Sequence, residues 1–187
     1  MKQEIKNCLD VLRRGGTILY PTDTIWGIGC DATNPKAVQK IFKIKKRMEG
    51  KSLIVLLDRK ERLFEYVEDV PNVILDLVEN VNTPLTIIYP KAKNLAKNII
   101  ADDGTIAIRV VNYEFCCKLI RNFKKPIVST SANISGEPAP LVFKWIPEEI
   151  ANQVDYKVNL AHDQLRETKP STIIKVRENG EFEIIRR

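Results

Sequence analysis

Residues 17–35 read Thr17-Ile18-Leu19-Tyr20-Pro21-Thr22-Asp23-Thr24-Ile25-Trp26-Gly27-Ile28-Gly29-Cys30-Asp31-Ala32-Thr33-Asn34-Pro35. The stretch opens on a short β-type run, Thr17 to Tyr20. Pro21 ends it, because proline has no N–H for a sheet ladder. Residues 21–34 look loop-rich, with glycines at 27 and 29. Asn34 followed by Pro35 is a helix start: an amide that can accept from the first free N–H groups, then a ring whose fixed φ suits the first turn. A strand, a polar loop and a capped helix in so short a span announce a domain that mixes both kinds of element.

The pattern extends outward. Upstream, Ile5, Leu9 and Leu12 recur at helical spacing, and Gly15-Gly16 stops that helix. Downstream, Val38, Ile41 and Phe42 form the apolar stripe of a helix that frays near Arg47. Leu53 to Leu57 is a continuous apolar run and reads as a buried strand. Residues 59–80 look helical in two pieces broken at Pro71, and Phe115 to Ile120 is a further helix. Leu85–Tyr89, Thr105–Val111 and Pro126–Thr130 read as strands. Asn179-Gly180 between the runs Thr172–Val176 and Phe182–Ile185 marks a hairpin. Helices and strands are interspersed without strict alternation, and neither a linker nor a repeat interrupts them. The expectation is one domain over residues 1–187, of the α/β (α+β) class, with a mixed parallel and antiparallel sheet flanked by helices.

Composition sets the bounds. Of 187 residues, 44% are hydrophobic and 29% charged, enough apolar material for a full core and too little glycine and proline for a disordered or fibrous chain. No apolar run approaches the ~18 residues that cross a membrane, and the first residues carry no signal-peptide core, so a cytoplasmic protein without a membrane partner is expected. Cys8, Cys30, Cys116 and Cys117 form no CxxC pair and His162 is the single histidine, which points to reduced thiols and no metal site. The sequon at Asn133 carries no meaning in such a chain.

The net charge is +6, and it is focused. Residues 36–51 hold seven cations (Lys36, Lys40, Lys43, Lys45, Lys46, Arg47, Lys51) against Glu49 alone, while the rest of the chain balances. Such a focus suits phosphate or nucleic acid, or else a solvated helix face. Gly50-Lys51-Ser52 imitates a phosphate-binding P-loop, but position 45 is Lys where that motif needs Gly, and a helix precedes it where a strand belongs.

Four segments carry chemistry. Thr22, Asp23 and Thr24 leave a strand as three short polar side chains, either a ligand loop or an ordinary Asx/ST turn. Lys45, Arg47 and Lys51 leave a helix end as cations able to neutralise a triphosphate. Pro126 to Gly136 ends a strand in hydroxyls, an amide and a glycine, an anion cradle or a polar turn. Arg109 lies inside an apolar strand, where it must either meet a buried carboxylate or face a ligand. One histidine outside any such group leaves imidazole catalysis without a base.

Taken in order, these segments resemble the threonylcarbamoyl-AMP synthase family of YrdC-domain proteins in its short single-domain form, over residues 8 to 186. Tyr20-Pro-Thr-Asp-Thr24 with Gly27 to Ala32 resembles the opening loop, Lys45-Lys46-Arg47 the Lys-x-Arg motif, and Ser131-Ala132-Asn133 the Ser-x-Asn motif. Thr105 to Arg109 resembles the intervening strand, and Ser171 to Ile174 with Ile184 to Arg186 the closing hairpin. The resemblance implies a twisted open mixed sheet with a large, concave, positively charged cavity. It implies synthesis of L-threonylcarbamoyl-adenylate and pyrophosphate from L-threonine, bicarbonate or CO2, and ATP with Mg²⁺. The product would pass to partner enzymes that modify tRNA, with weak tRNA binding besides. By the same resemblance Lys45, Arg47, Ser131 and Asn133 are catalytic. Thr22, Asp23, Thr24, Arg109, Ser131 and Ser171 bind threonine. Arg47, Lys51, Thr105, Ser131, Asn133 and Arg186 bind ATP. No protein metal ligand is expected. Three positions depart from the family pattern: residues 82–86 lack its usual glycine, Ser52 replaces a proline, and Leu56 stands where some members carry histidine. Two rival readings are a non-catalytic RNA-binding module and a domain that draws on carbamoyl phosphate. The low aromatic content, 7%, leaves no stacking platform for the first, and the short length argues against the second.

Overall fold

The computed structural model describes residues 1–48, 53–160, 170–177 and 180–186. Helix α1 (Lys2–Arg13) buries Ile5, Cys8, Leu9, Val11 and Leu12 on one face. It stops where the glycines predict. Gly15 takes a φ of +71°, its N–H reaches the Leu12 carbonyl at 3.0 Å and that of Gly16 the Val11 carbonyl at 2.9 Å. Two carbonyls that the helix end leaves free are thereby satisfied.

Strand β1 (Ile18–Pro21) turns through residues 22–25 into β2 (Trp26–Gly29), antiparallel, with Leu19 opposite Ile28. Strand β2 lies within residues 21–34, which look like loop in the sequence, and corrects that expectation. Two of its four residues are glycines, which erase the β signal, yet the sheet requires one of them. A Cβ on Gly29 would lie 2.4 Å from the Val128 carbonyl oxygen and 2.7 Å from the Tyr20 ring. Only hydrogen fits there.

Helix α2 (Pro35–Ile44) begins as read: the Asn34 side chain accepts the N–H of Lys36 at 3.0 Å and of Ala37 at 3.2 Å. Its end positions the site. Lys46 adopts a left-handed φ of 49°, and the N–H of Arg47 returns to the Phe42 carbonyl at 2.9 Å. A lysine bears strain there that glycine would not. After β3 (Ile54–Leu57), the two expected helical pieces are α3 (Leu63–Tyr66) and α4 (Asn72–Asn80), with Pro71 capping the second. Then come β4 (Leu85–Tyr89), β5 (Ile106–Val110), α5 (Glu114–Phe123) and β6 (Ile127–Ser131), each close to its expected place. The sequence did not show α6 (Glu148–Ala151) or β7 (Tyr156–Lys157). Strands β8 (Thr172–Val176) and β9 (Phe182–Arg186) pair antiparallel as the hairpin signal predicts; Asn179 itself lies outside the described residues.

Among the described residues the strands form one nine-stranded sheet, ordered β7-β1-β2-β6-β3-β5-β4-β8-β9. The pairs β1–β7, β3–β5 and β4–β8 are parallel and the other five antiparallel, so the sheet is mixed. One face is covered by α2, α3 and α4, which pack on Leu19, Ile28, Val55, Leu57, Ile87, Ile108 and Ile174. The other face is covered in part. There α1 and α5 bury Ile18, Tyr20, Leu56 and Ile127. The same face across β4, β5 and β8 lies beyond the reach of both helices, and the cavity opens on it.

Cys8, Cys30 and Cys116 are buried, Cys117 half-buried, and all four are free. Burial, with Glu4 nearby, pushes the Cys8 thiol up to about 12, and burial raises Cys30 as well, so both stay protonated and inert. Among the described residues no helix is long and apolar enough to cross a membrane, and no cluster of three or more His, Cys, Asp or Glu could hold a metal ion. His162 lies outside the described residues.

Candidate functional site

The open part of the face forms a cavity of about 330 Å³, a size that suits a small-molecule site. Its floor is apolar, from Ile54, Ile88, Ala107 and Ile173. Its walls carry the hydroxyls of Thr22, Thr24, Ser129, Thr130, Ser131 and Ser171. Three cations enter it from three different elements: Arg47 after α2, Arg109 in β5 and Arg186 in β9. No carboxylate appears among its described lining residues.

Arg109 resolves the alternative its strand posed by doing both things. Its side chain is 4% exposed, and its Nη2 lies 3.1 Å from Asp23 Oδ1. It also lines the cavity, and its Nη1 reaches Thr24 Oγ1 at 3.4 Å, a long contact. Its Nε has no hydrogen-bond acceptor. A buried guanidinium with a donor to spare is a ready seat for a carboxylate. Asp23 is not among the cavity's lining residues; it forms the ion pair with Arg109. Thr22 spends its proton on the Ile25 carbonyl at 2.7 Å, so in the 3.1 Å contact between the two hydroxyls Thr24 donates. The loop is thus an ST turn and a cavity wall at once.

Lys45 requires a correction. It does not stand in the cationic wall. The side chain is 1% exposed, and its Nζ donates to the carbonyls of Ser131 at 2.6 Å and Asn133 at 2.7 Å, with Asn133 Oδ1 at 3.4 Å. Three oxygens receive the three protons of an ammonium, leaving none for a phosphate. Burial, then the neighbouring charge of Arg47, lowers its pKa to about 8. Asn133 is likewise inward: its Nδ2 donates to the carbonyls of Ile134 at 2.9 Å and Glu137 at 2.6 Å, and it does not line the cavity. Lys-x-Arg and Ser-x-Asn therefore meet as a clasp, in which Lys45 and Asn133 hold the loop and Arg47 and Ser131 face the cavity.

Ser171 and Arg186 close the far side. Arg186 donates from Nε and Nη2 to the Ser171 carbonyl at 3.2 and 2.8 Å. The Ser171 hydroxyl lies 2.8 Å from that of Thr86, a fully buried residue of β4. Burial lowers the guanidinium pKa of Arg47, and burial with the charge of Arg109 lowers that of Arg186. Desolvated like charges in one space favour an anion as occupant.

Other expectations fare differently. Thr105 does not line the cavity; its hydroxyl donates to Asp103 at 2.6 Å. Lys51 lies outside the described residues. The charge focus of residues 36–51 is not one cluster: Lys36, Lys40, Lys43 and Lys46 are exposed, Lys46 in an ion pair with Glu149, and Arg47 alone of the described six lines the cavity. Leu56 is fully buried under α1 and α5. Ser129 belongs to the hydroxyl-rich segment already singled out, whereas Trp26 and Thr86 were given no role from the sequence. Trp26 packs edge-on against Phe143 at 5.0 Å between ring centroids, forming a wall that only the folded chain brings together.

Comparison with known proteins adds the following. A family model described as "Telomere recombination", covering Sua5, YciO and YrdC, matches residues 10–187. A curated protein named threonylcarbamoyl-AMP synthase from Pseudoalteromonas translucida is 35% identical over 172 residues, 90% of this chain and 91% of that one. A crystal structure of P. abyssi Sua5 complexed with L-threonine superposes with a TM-score of 0.86 at 28% identity, over 94% of this chain and 52% of that longer one. The crystal structure of E. coli YciO gives a TM-score of 0.85 at 25% identity, over the whole of this chain and 90% of that one.

Proposed function

The chain belongs to the Sua5, YciO and YrdC family, and from that premise we propose that it is an L-threonylcarbamoyladenylate synthase. The observation that carries the reading is the convergence of Arg47, Arg109 and Arg186 on one hydroxyl-walled cavity, in a chain so similar to a named synthase over nine-tenths of its length.

Arg109 receives the threonine carboxylate, steadied by Asp23. The hydroxyls of Thr22, Thr24 and Ser171 surround its amine and side chain. The amine adds to CO2, losing a proton and forming N-carboxy-threonine. An oxygen of that new carboxylate attacks the α-phosphorus of ATP, the bond to the bridging oxygen breaks, and pyrophosphate leaves. Two anions must meet, so the work is neutralisation and alignment. Arg47 and Arg186 supply the first. The Ser131 hydroxyl, held in place by the Lys45–Asn133 clasp, supplies part of the second. Mg²⁺ enters with the nucleotide as part of the substrate, since the described cavity wall offers arginines and hydroxyls, a donor set suited to phosphate. The product feeds a second enzyme that modifies tRNA.

The test is pyrophosphate release from ATP, Mg²⁺ and bicarbonate with and without L-threonine. A threonine-dependent signal is expected, serine giving roughly tenfold less and valine roughly a hundredfold less, because buried hydrogen-bonding groups discriminate more strongly than a methyl contact. Release that ignores threonine, or accepts valine equally, sinks the reading. Salt-sensitive RNA binding without release would favour the binding module instead.

A further inference from the structure

The neighbours of Arg109 close a ring. Its Nη1 meets the Thr24 hydroxyl at 3.4 Å, and that hydroxyl meets the one of Thr22 at 3.1 Å. Thr22 and Ser129 flank Gly27, where a Cβ would lie 3.3 Å from the first and 3.1 Å from the second. Ser129 stands opposite Ile54 in the ladder of β6 and β3, and Ile54 stands opposite Ala107 in that of β3 and β5. Ala107 leads back to Arg109, two positions further along the same face of β5 and so about 7 Å away. All six residues line the cavity.

The ring divides by chemistry. One arc offers a guanidinium and the hydroxyls of Thr24, Thr22 and Ser129; the other, Ile54 and Ala107, is apolar. Ala107 has the shortest side chain of the six. Ile54 lies one strand away on one side of it and Ile88 one strand away on the other. A single methyl group therefore lies between two branched side chains whose backbones are about 10 Å apart, and the floor dips there. Given the synthase reading, on which this rests, we propose that Ala107 sets the side-chain specificity: the dip over it receives the methyl group of threonine. With the carboxylate on Arg109, the β-hydroxyl turns to the hydroxyl arc, because in the apolar arc it would be buried without a partner. The methyl group is then left to the dip. Serine leaves the dip empty, and a side chain one carbon longer overfills it, a misfit that packed apolar surfaces do not absorb.

Pyrophosphate release with threonine, serine and the ethyl homologue 2-amino-3-hydroxypentanoate, each measured as kcat/KM, tests this. Wild type should prefer threonine to each of the others by roughly tenfold, the weight of one carbon in an apolar pocket. Ala107→Val fills the dip and should bring the threonine-to-serine ratio down to about one or below. Ala107→Gly deepens it and should raise the homologue relative to threonine by about tenfold. A merely structural role for Ala107 would lower all three substrates alike and leave both ratios where they were. Circular dichroism checks folding; the two variants change size in opposite directions, so one that fails to fold leaves the other decisive. A wild type that releases no pyrophosphate with threonine overturns the synthase reading, and this inference with it. A wild type that does release it, with a folded variant that leaves its ratio unmoved, overturns this inference alone.

Discussion

Leu56 and Arg109 stand directly opposite each other in the parallel ladder of β3 and β5, on the same face of the sheet. Leu56 lies under α1 and α5 and is fully buried in apolar company. Arg109 lies where those helices stop, and it lines the cavity. The backbone treats them alike; coverage divides them. Where two helices bring an apolar face, the sheet stores stability. Where they fall short, the same strands present charge and hydroxyls to a ligand. The function of this fold is therefore set as much by where α1 and α5 end as by what β3 and β5 contain.

Paired substitutions can break that contrast. The largest effect is expected in the open half. Arg47→Ala should reduce threonine-dependent pyrophosphate release on the order of a thousandfold, the scale for losing a charge-stabilising donor, while the thermal midpoint moves by no more than about 2 °C. Near-full activity with a large fall in midpoint would make Arg47 a helix-end support. In the covered half the signs reverse. Leu56→Ala should cost about 3 kcal/mol of stability and lower the midpoint by about 10 °C, with activity per folded molecule retained well below that temperature.

Lys45 joins the two halves, and its substitution should show both signs in one residue. Lys45→Met should lower activity about thirtyfold, because Ser131 loses the ammonium that holds its carbonyl in place, measured as kcat with little change in the KM for ATP. The wild-type enzyme should lose activity as pH rises through about 8, where Lys45 sheds a proton and one of its three donors. Its contribution to stability runs the other way. The folded pKa lies below the unfolded value of 10.5, so the unfolded chain holds the extra proton between the two. Stability gains from this group as pH rises through that window, by about 1.4 kcal/mol per unit. The wild-type minus Lys45→Met stability difference should therefore be larger at pH 10 than at pH 7.5 in chemical denaturation, and a flat difference would break the assignment. The smallest effect belongs to Thr86→Val. Losing the partner of the Ser171 hydroxyl should raise the KM for threonine about fivefold, roughly 1 kcal/mol, and leave kcat nearly unchanged.

Local rules carried the sequence reading where the physics is local. The Asn34 cap, the Gly15-Gly16 stop, the break at Pro71 and the β8–β9 pairing all rest on a few adjacent residues, and all stand where expected. Strand β2 was illegible because two of its four residues are glycines, and Gly29 serves a neighbour, Val128, that the chain reaches only about a hundred residues later. The cation focus divides between its two readings: Lys36, Lys40, Lys43 and Lys46 form the solvated face, and Arg47 lines the cavity. A linear count ignores direction, and a helix sends Lys36, Lys40 and Lys43 to solvent while its left-handed end turns Lys45 inward and Arg47 toward the sheet. Thr86 carried no signal, because a threonine in an apolar strand reads the same whether it packs or bonds.

Most of the elements, the class of the fold and the residue types able to handle an amino acid and a triphosphate were settled by the chain's own periodicity, turn chemistry and motifs, since those depend on neighbours a few positions apart; β2, α6 and β7 were not. Which cations share a cavity, which one is spent on carbonyls, and which part of a sheet stays open were settled by tertiary structure alone. Charge acts through space and burial depends on what lies overhead, and neither distance can be measured along the chain.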